Sequence, residues 1–135
     1  MRLQVFVELE AALAPGGAAA GAAPHFPVEV RFVAADTAWM SPAHGTPGAV
    51  FVYIGIIMYR PYGVDPPMWR EYFEAFDTIC ARAGGRPHWA KEFSLAGDVG
   101  FRERYPRWDD FKKLRARLDP TCIFVNPWLQ RTLGL

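Results

Sequence analysis

The chain has 135 residues, of which 51% are hydrophobic and 21% charged, and this predicts one globular domain or one piece of a larger protein. Its formal net charge of +1 gives no general electrostatic case for binding nucleic acid or an anionic membrane surface. The two cysteines, Cys80 and Cys122, match no metal-binding or redox spacing, so two buried free thiols are favoured over one disulfide.

The N-terminal residues 1–13 are predicted to form a helix, although the run from Val5 to Val7 would equally suit a strand. They lack the uninterrupted apolar run of a signal peptide, and no stretch reaches the roughly 20 apolar residues of a membrane span. Residues 14–24, APGGAAAGAAP, are predicted to be a Gly/Ala-rich linker or mobile loop. Residues 25–135 would then form the main folded domain.

A first β-strand is predicted in PVEVRF, because valines and a phenylalanine alternate there with Glu29 and Arg31. The two charged residues would lie on one strand face, with their Cα atoms about 7 Å apart. Long side chains at that spacing can converge on one small polar ligand. The same spacing also suits an ordinary solvent-facing ion pair, so both interpretations stay open.

A second strand is predicted over Val50–Tyr59, which is apolar on both faces and therefore typical of a central strand covered on both sides. Gly55 interrupts this run, which predicts a bulge or a close approach by a ligand or another backbone. Only one neighbouring strand is evident, and two strands make a poor sheet on their own. This is a first indication that the chain is part of something larger.

The clearest helix prediction is VDPPMWREYFEAFDTICARAGG, with Asp65 as N-cap, Pro66 and Pro67 in the first turn, and Gly84–Gly85 at the end. Further helices are predicted from Asp98 to about Tyr105, from Pro106 to Asp119, and as one closing turn in FVNPWLQRTLGL. Together these elements predict an α+β class, with an antiparallel sheet covered by helices.

The stretch GGRPHWAK places His88 and Lys91 around Trp89, directly after the helix-ending glycines. Pro87 would stiffen this turn and Trp89 would anchor it, so that Lys91 is presented to a ligand with little entropy left to lose. The alternative is a packed turn with an exposed lysine. The sequence contains no glycine-rich phosphate loop, nucleophile elbow or metal-spaced His/Cys cluster, so no metal is predicted.

Six segments in this order resemble the C-terminal half of the sugar-1,4-lactone oxidases: PVEVRF, IIMYRPYG, GGRPHWAK, YPRWDDF, RLDPT and NPWL. The resemblance covers about residues 24–132 and is nearest to the members that oxidise L-gulono-1,4-lactone. It implies a flavoprotein of the vanillyl-alcohol-oxidase type, in which a C-terminal cap domain covers an FAD-binding domain. The chain would then be a C-terminal fragment, an incomplete cap domain without the FAD domain.

The resemblance also implies roles for particular residues. Glu29 matches the family's substrate-binding acid, which accepts hydrogen bonds from sugar hydroxyls. Arg31 matches an arginine near the flavin and the oxidised carbon, where it would stabilise the anionic reduced flavin. Lys91 matches the lysine of the HWxK motif, which lies beside the substrate and the isoalloxazine ring. His88 would position that loop and help to bind substrate. Asn126, in the closing NP motif, is either structural or close to the flavin.

The expected function is therefore the substrate-binding and catalytic domain of an FAD-dependent aldonolactone oxidase that uses oxygen and forms H2O2. Alditol oxidases carry a histidine on the strand where this chain has Gly55–Ile57, so the resemblance favours a lactone over a polyol. The alternative is a non-catalytic lactone-binding module, or a fragment that needs a separate FAD domain.

The expected partners are the lactone and the missing N-terminal FAD domain, with self-association through an exposed cap face as a further option. By the resemblance, the location would be cytoplasmic for a bacterial protein, with membrane association as the alternative. We expect Glu29, Arg31 and Lys91 to meet around one small cavity.

Overall fold

A computed structural model of the chain describes residues 2–91, 93 and 97–134. In chain order its elements are α1 (Arg2–Leu13), β1 (His25–Ala34), β2 (Val50–Ile57), a 3-10 turn (Pro61–Gly63), α2 (Trp69–Arg82), α3 (Gly97–Arg104), α4 (Trp108–Leu118) and α5 (Pro127–Leu133). β1 and β2 pair as an antiparallel sheet, which confirms the predicted α+β class. Within the described ranges, no helix is long and apolar enough to cross a membrane.

The chain divides into two compact units, which we call the first and second unit. The first unit comprises Met1–Phe32 and Val52–Gly85, and the second comprises Val33–Phe51 and Arg86–Leu135. The first contains α1, α2 and most of the sheet, whereas the second contains α3, α4 and α5.

The core of the first unit forms where α1 packs against α2. Val5, Leu9 and Ala12 of α1 are buried there together with Tyr72 and Ile79 of α2. The spacing of the three α1 residues puts them on one helical face, and this explains why the segment forms a helix and not a strand.

Residues 14–24, predicted to be a linker or mobile loop, are packed against α1 as a series of turns. Ala19 is completely buried in the first core, and its N–H donates a hydrogen bond of 2.8 Å to the carbonyl of Ala12. A Cβ atom on Gly17 would lie 2.4 Å from the carbonyl oxygens of Ala11 and Ala12, so this close approach requires glycine. Small residues thus serve here for tight packing, which the composition did not reveal.

The N-terminus of α2 differs from the prediction. The helix begins at Trp69, and Met68 before it has a left-handed conformation with φ 60°. Asp65 is not the N-cap but forms an ion pair of 2.5 Å with Arg60. A residue followed by proline is disfavoured in the helical region, and this opposes a helical conformation of Pro66 before Pro67.

The C-terminus of α2 confirms the predicted glycine cap. Gly84 follows the helix with φ +74°, and its N–H donates to the carbonyl of Ala81 at 3.0 Å. The N–H of Gly85 donates to the carbonyl of Cys80 at 2.7 Å. These two bonds form a Schellman motif, which ends the helix and turns the chain sharply.

The sheet is covered by helices on one face, where Ile54 and Ile56 pack against the first core. The prediction that β2 is central and covered on both sides is wrong for the described residues. There β2 pairs with β1 alone, and Val50 and Ile57 expose 59% and 44% of their surface. An apolar sequence on both faces therefore did not guarantee burial of both.

The second unit has its own aromatic core. Phe101, Tyr105 and Trp108 are each 1% exposed and pack around Leu133 of α5. The ring centroid of Phe101 lies 5.4 Å from that of Tyr105 and 5.2 Å from that of Trp108. Aromatic packing of this kind joins α3, α4 and α5.

The helix boundaries in the second unit are close to those predicted. α3 begins at Gly97, so Asp98 lies inside its first turn and not before it. α4 begins at Trp108, two residues after Pro106. It ends at Leu118 with Asp119 as C-cap, as the Asp-Pro pair predicts.

Both cysteines are free, as favoured by their spacing. Cys80 is partly buried on α2, where burial, reinforced by the charge of Asp77, raises its pKa to about 11. Cys122 was predicted to be buried but is exposed; it lies in the turn after α4, where its φ is 57°.

Candidate functional site

The candidate site begins on the strand face that points away from the first core. Glu29 and Arg31 of β1 lie there beside Gly55 and Tyr53 of β2, and we call these four residues the charged strand face. Ile54 and Ile56 pack against the core, and successive strand residues alternate in direction, so Tyr53 and Gly55 face the other way. The apolar side of the sheet therefore determines which side chains remain available for binding.

The guanidinium carbon of Arg31 lies 5.5 Å from the ring centroid of Tyr53, which is a cation–π contact. Next to it, a carboxylate oxygen of Glu29 lies 3.7 Å from the point where a Cβ atom on Gly55 would stand. Each charged side chain of β1 therefore lies against its neighbour on β2.

The ion pair considered for Glu29 and Arg31 is not formed. In the part of the chain that the structure describes, neither residue takes part in a salt bridge, and the Glu29 carboxylate accepts no hydrogen bond. Both side chains are exposed. An acceptor and a donor thus stand side by side without neutralising each other.

Gly55 causes no bulge in β2. The pairs Arg31–Tyr53 and Glu29–Gly55 keep one register along the sheet, and the strand runs unbroken from Val50 to Ile57. The close approach at Gly55 is made by the Glu29 side chain, whereas a ligand or backbone had been expected. A glycine here leaves space above the strand that the carboxylate occupies.

In the second unit, a short turn carries Lys91. The indole Nε1 of Trp89 donates a hydrogen bond of 3.0 Å to the carbonyl of Met40, which agrees with the predicted anchoring of the loop. The Lys91 N–H donates to the carbonyl of His88 at 2.8 Å, and Nδ1 of His88 accepts from the Ala90 N–H at 3.3 Å. His88 thus supports the turn, and Lys91 is exposed at its end.

Arg86 also organises this region, and sequence reasoning missed it. Its guanidinium donates to the carbonyls of Pro42 at 3.1 Å and His44 at 2.6 Å, and it lies 5.5 Å from the ring centroid of Phe51. The two carbonyls belong to a loop more than 40 residues away in sequence, so no local pattern could reveal the contact.

Asn126 has a visible structural role. Its Oδ1 accepts a hydrogen bond of 2.9 Å from the Leu129 N–H, and Pro127 follows at the first position of α5. This is an N-cap, which satisfies one of the free donors of the first helical turn. Its proximity to a flavin stays a prediction.

Asp119 was predicted only as part of the Asp-Pro pair that ends α4, and its role as a buried acid was missed. It is 7% exposed, and its two carboxylate oxygens accept from the N–H groups of Ile123 at 2.8 Å and Phe124 at 3.0 Å. The RLDPT motif is therefore explained by a buried acid that shapes the turn between α4 and α5. The only local signal was an aspartate placed at a helix end.

The predicted site residues belong to different units. Glu29 and Arg31 lie in the first unit, and His88, Lys91 and Asn126 lie in the second. Their meeting around one ligand therefore stays a prediction. Among the described residues, no group of three or more His, Cys, Asp or Glu side chains is arranged to hold a metal ion.

Comparison with known proteins places this chain in a family. A family model described as D-arabinono-1,4-lactone oxidase matches residues 3–132. The chain belongs to the D-arabinono-1,4-lactone oxidase family. This confirms the resemblance to sugar-lactone oxidases and extends it, since the match includes α1 and the turns after it.

Several curated proteins are similar to this family member. An L-gulonolactone oxidase from Scyliorhinus torazame is 47% identical over 109 residues, which are 80% of this chain and 23% of the relative. An L-gulono-1,4-lactone dehydrogenase from Mycobacterium tuberculosis is 40% identical over 110 residues, with 81% and 23% covered. An alditol oxidase from a Streptomyces species is 34% identical over 105 residues, with 78% and 23% covered. The chain thus spans about a quarter of the length of these relatives.

Proposed function

We propose that the chain is the substrate-binding and catalytic C-terminal domain of an FAD-dependent aldonolactone oxidase. We further propose L-gulono-1,4-lactone as substrate and oxygen as electron acceptor. The observation that carries this proposal is the pair of exposed charges on the charged strand face, neither of which has an ion-pair partner among the described residues. The names of relatives that act on gulono- and arabinono-lactones support the substrate class.

A sugar lactone offers several hydroxyl donors and a carbonyl acceptor within a few ångströms. An ionised glutamate accepts hydrogen bonds and donates none, so the two oxygens of Glu29 would accept from two neighbouring hydroxyls. Arg31 is a donor only and would bind the lactone oxygens. Adjacent groups of opposite hydrogen-bonding character therefore suit a small ring that carries both donors and acceptors.

Lys91, in the second unit, is a separate candidate for a polar contact with the ligand. Its backbone N–H is bonded to His88, and Trp89 is tied to Met40, so the turn is already ordered before a ligand arrives. An ordered turn reduces the entropy lost on binding. In this proposal the Lys91 ammonium donates to the lactone or to the flavin, and His88 acts through the loop.

The chain fits one part of FAD better than the rest. Two exposed cations, Arg31 and Lys91, would each suit the isoalloxazine ring, because a cation there would stabilise the negative charge that the ring gains on reduction. The sequence has no glycine-rich loop for the diphosphate. We therefore propose that a separate FAD domain holds the remainder of the cofactor, and that bound FAD supplies the redox chemistry.

Calorimetric titration of the purified chain with L-gulono-1,4-lactone, with and without FAD, tests the proposal. Glu29→Gln and Arg31→Ala should each weaken binding about tenfold or more, because a hydrogen bond to a charged group contributes roughly 1.5–3 kcal/mol. Glu74→Gln, an exposed glutamate on α2, is the matched control and should bind like the unchanged chain.

Hydrogen peroxide formation in the presence of FAD then separates catalysis from binding alone. Lactone binding without turnover, even with an added FAD domain, would favour the non-catalytic module. A chain that binds no lactone under any of these conditions would refute the proposed function.

A further inference from the structure

We infer that Tyr53 is a positioning residue that holds the Arg31 guanidinium ready for the ligand, an inference that rests on the proposed lactone site. Tyr53 lies on β2 and Arg31 on β1, so the contact crosses the sheet between neighbouring strands. The ring centroid lies 5.5 Å from the guanidinium carbon, within the range of a cation–π interaction.

The need for such a support follows from the exposure of Arg31. An exposed arginine samples many rotamers, and a ligand that fixes it must oppose that entropy. Stacking over a strand-held ring removes part of this freedom before binding. Tyr53 is itself partly buried on a paired strand, so its ring offers a firmer surface than another exposed side chain would.

An aromatic ring is also better suited to this purpose than a carboxylate. A carboxylate would hold the guanidinium but would occupy the N–H donors that a ligand needs. A ring attracts the guanidinium through its π electrons and accepts no conventional N–H hydrogen bond, so the N–H donors stay available to a ligand. In the described residues Arg31 has no carboxylate partner, not even the adjacent Glu29.

The residue of β2 beside Glu29 is the small Gly55, whereas the residue beside Arg31 is the large Tyr53. Gly55 leaves space that the carboxylate occupies, whereas Tyr53 fills the space under Arg31. The strand β2 thus supports the cation with a ring and leaves room for the anion. The resemblance links Gly55–Ile57 of this strand to substrate preference, and Tyr53 lies two residues before that segment.

The test is lactone titration of Tyr53 variants in the unchanged chain. Tyr53→Leu should weaken affinity about three- to fivefold, because an exposed cation–π contact is lost, whereas Tyr53→Phe keeps the ring and should stay within about twofold. Tyr62→Leu is the matched control, since Tyr62 is fully exposed in the same unit. If thermal melting shows Tyr53→Leu to be unfolded, the strand-favouring Tyr53→Val replaces it.

A double-mutant cycle decides whether Tyr53 acts through Arg31. In an Arg31→Ala background, Tyr53→Leu should cause no further loss of affinity. An equal loss in both backgrounds, or unchanged affinity of Tyr53→Leu, would overturn the inference while the unchanged chain still binds lactone. Absence of lactone binding by the unchanged chain would instead refute the proposed function, and the inference with it.

Discussion

Substitution of Gly55 should change stability and lactone binding in opposite directions. Its backbone lies in β2, and a Cβ atom there would meet only the Cβ and a carboxylate oxygen of Glu29, both at 3.7 Å. This is ordinary van der Waals contact. Gly55→Ala should therefore stabilise the chain by about 0.5 kcal/mol, because it lowers the entropy of the unfolded state without strain.

Gly55→Val goes further because its methyl groups extend about 1.5 Å beyond Cβ. The space above Gly55 is occupied by the Glu29 carboxylate, which would have to move by roughly 1 Å to restore a separation of about 3.5 Å. A β-branched residue also suits a strand better than glycine. We expect Gly55→Val to be as stable as the unchanged chain or more so, and to bind lactone about tenfold more weakly.

Urea denaturation and lactone calorimetry on the same preparations measure both effects. Gly48→Ala is the matched control, since Gly48 has φ +86° with no atom within 4 Å of a Cβ atom. It should lose about 1 kcal/mol from backbone strain alone. Destabilisation by Gly55→Ala would contradict the strand geometry. Unchanged lactone affinity of Gly55→Val would show that the Glu29 carboxylate is not needed in its present position.

Three further predictions concern residues outside the charged strand face. Asn126→Ala should lower the free energy of unfolding, measured by urea denaturation, by about 1 kcal/mol. Asn126→Asp should lower it much less, because aspartate also caps a helix. If Asn126 also contacts the flavin, both variants should in addition bind FAD more weakly. Asp119→Ala should cost about 2–4 kcal/mol, because two hydrogen bonds to a buried carboxylate are lost. The raised pKa of Cys80, about 11 against an ordinary 9.0, favours its neutral thiol in the folded chain. Stability should therefore be full below about pH 9 and decline towards pH 11. Cys80→Ala should reduce this decline without abolishing it, because burial also raises the pKa of Tyr72. A thiol reagent at pH 8 should modify the exposed Cys122 first.

Local sequence rules predicted those features whose causes are local. Alternation located β1 and put Glu29 and Arg31 on one face, and the glycine pair located the end of α2. The same rules misplaced the beginning of α2 because two requirements competed. Asp65 is a good capping residue, but the restriction that Pro67 imposes on Pro66 prevailed.

Features that depend on distant contacts could not be predicted. Arg86 stood in the same quoted stretch as Lys91, but its carbonyl partners come from residues 42 and 44. Trp89 was correctly predicted to anchor the loop because a large indole with a donor N–H needs a partner, although the partner, Met40, was not foreseeable. A side chain's need for a contact is visible in sequence, whereas the group that satisfies it is a property of the fold.

The register of the sheet connects the core with the candidate site. Ile54 and Ile56 are held by the first core, and the side-chain period of a strand is two. A slip of one residue would turn Tyr53 and Gly55 towards the core and would separate them from Arg31 and Glu29. The apolar residues of the core therefore determine which polar residues are available to the proposed ligand. Polar substitution of Ile54 should accordingly impair stability and lactone binding together, whereas substitution of the exposed Glu29 or Arg31 should affect binding alone.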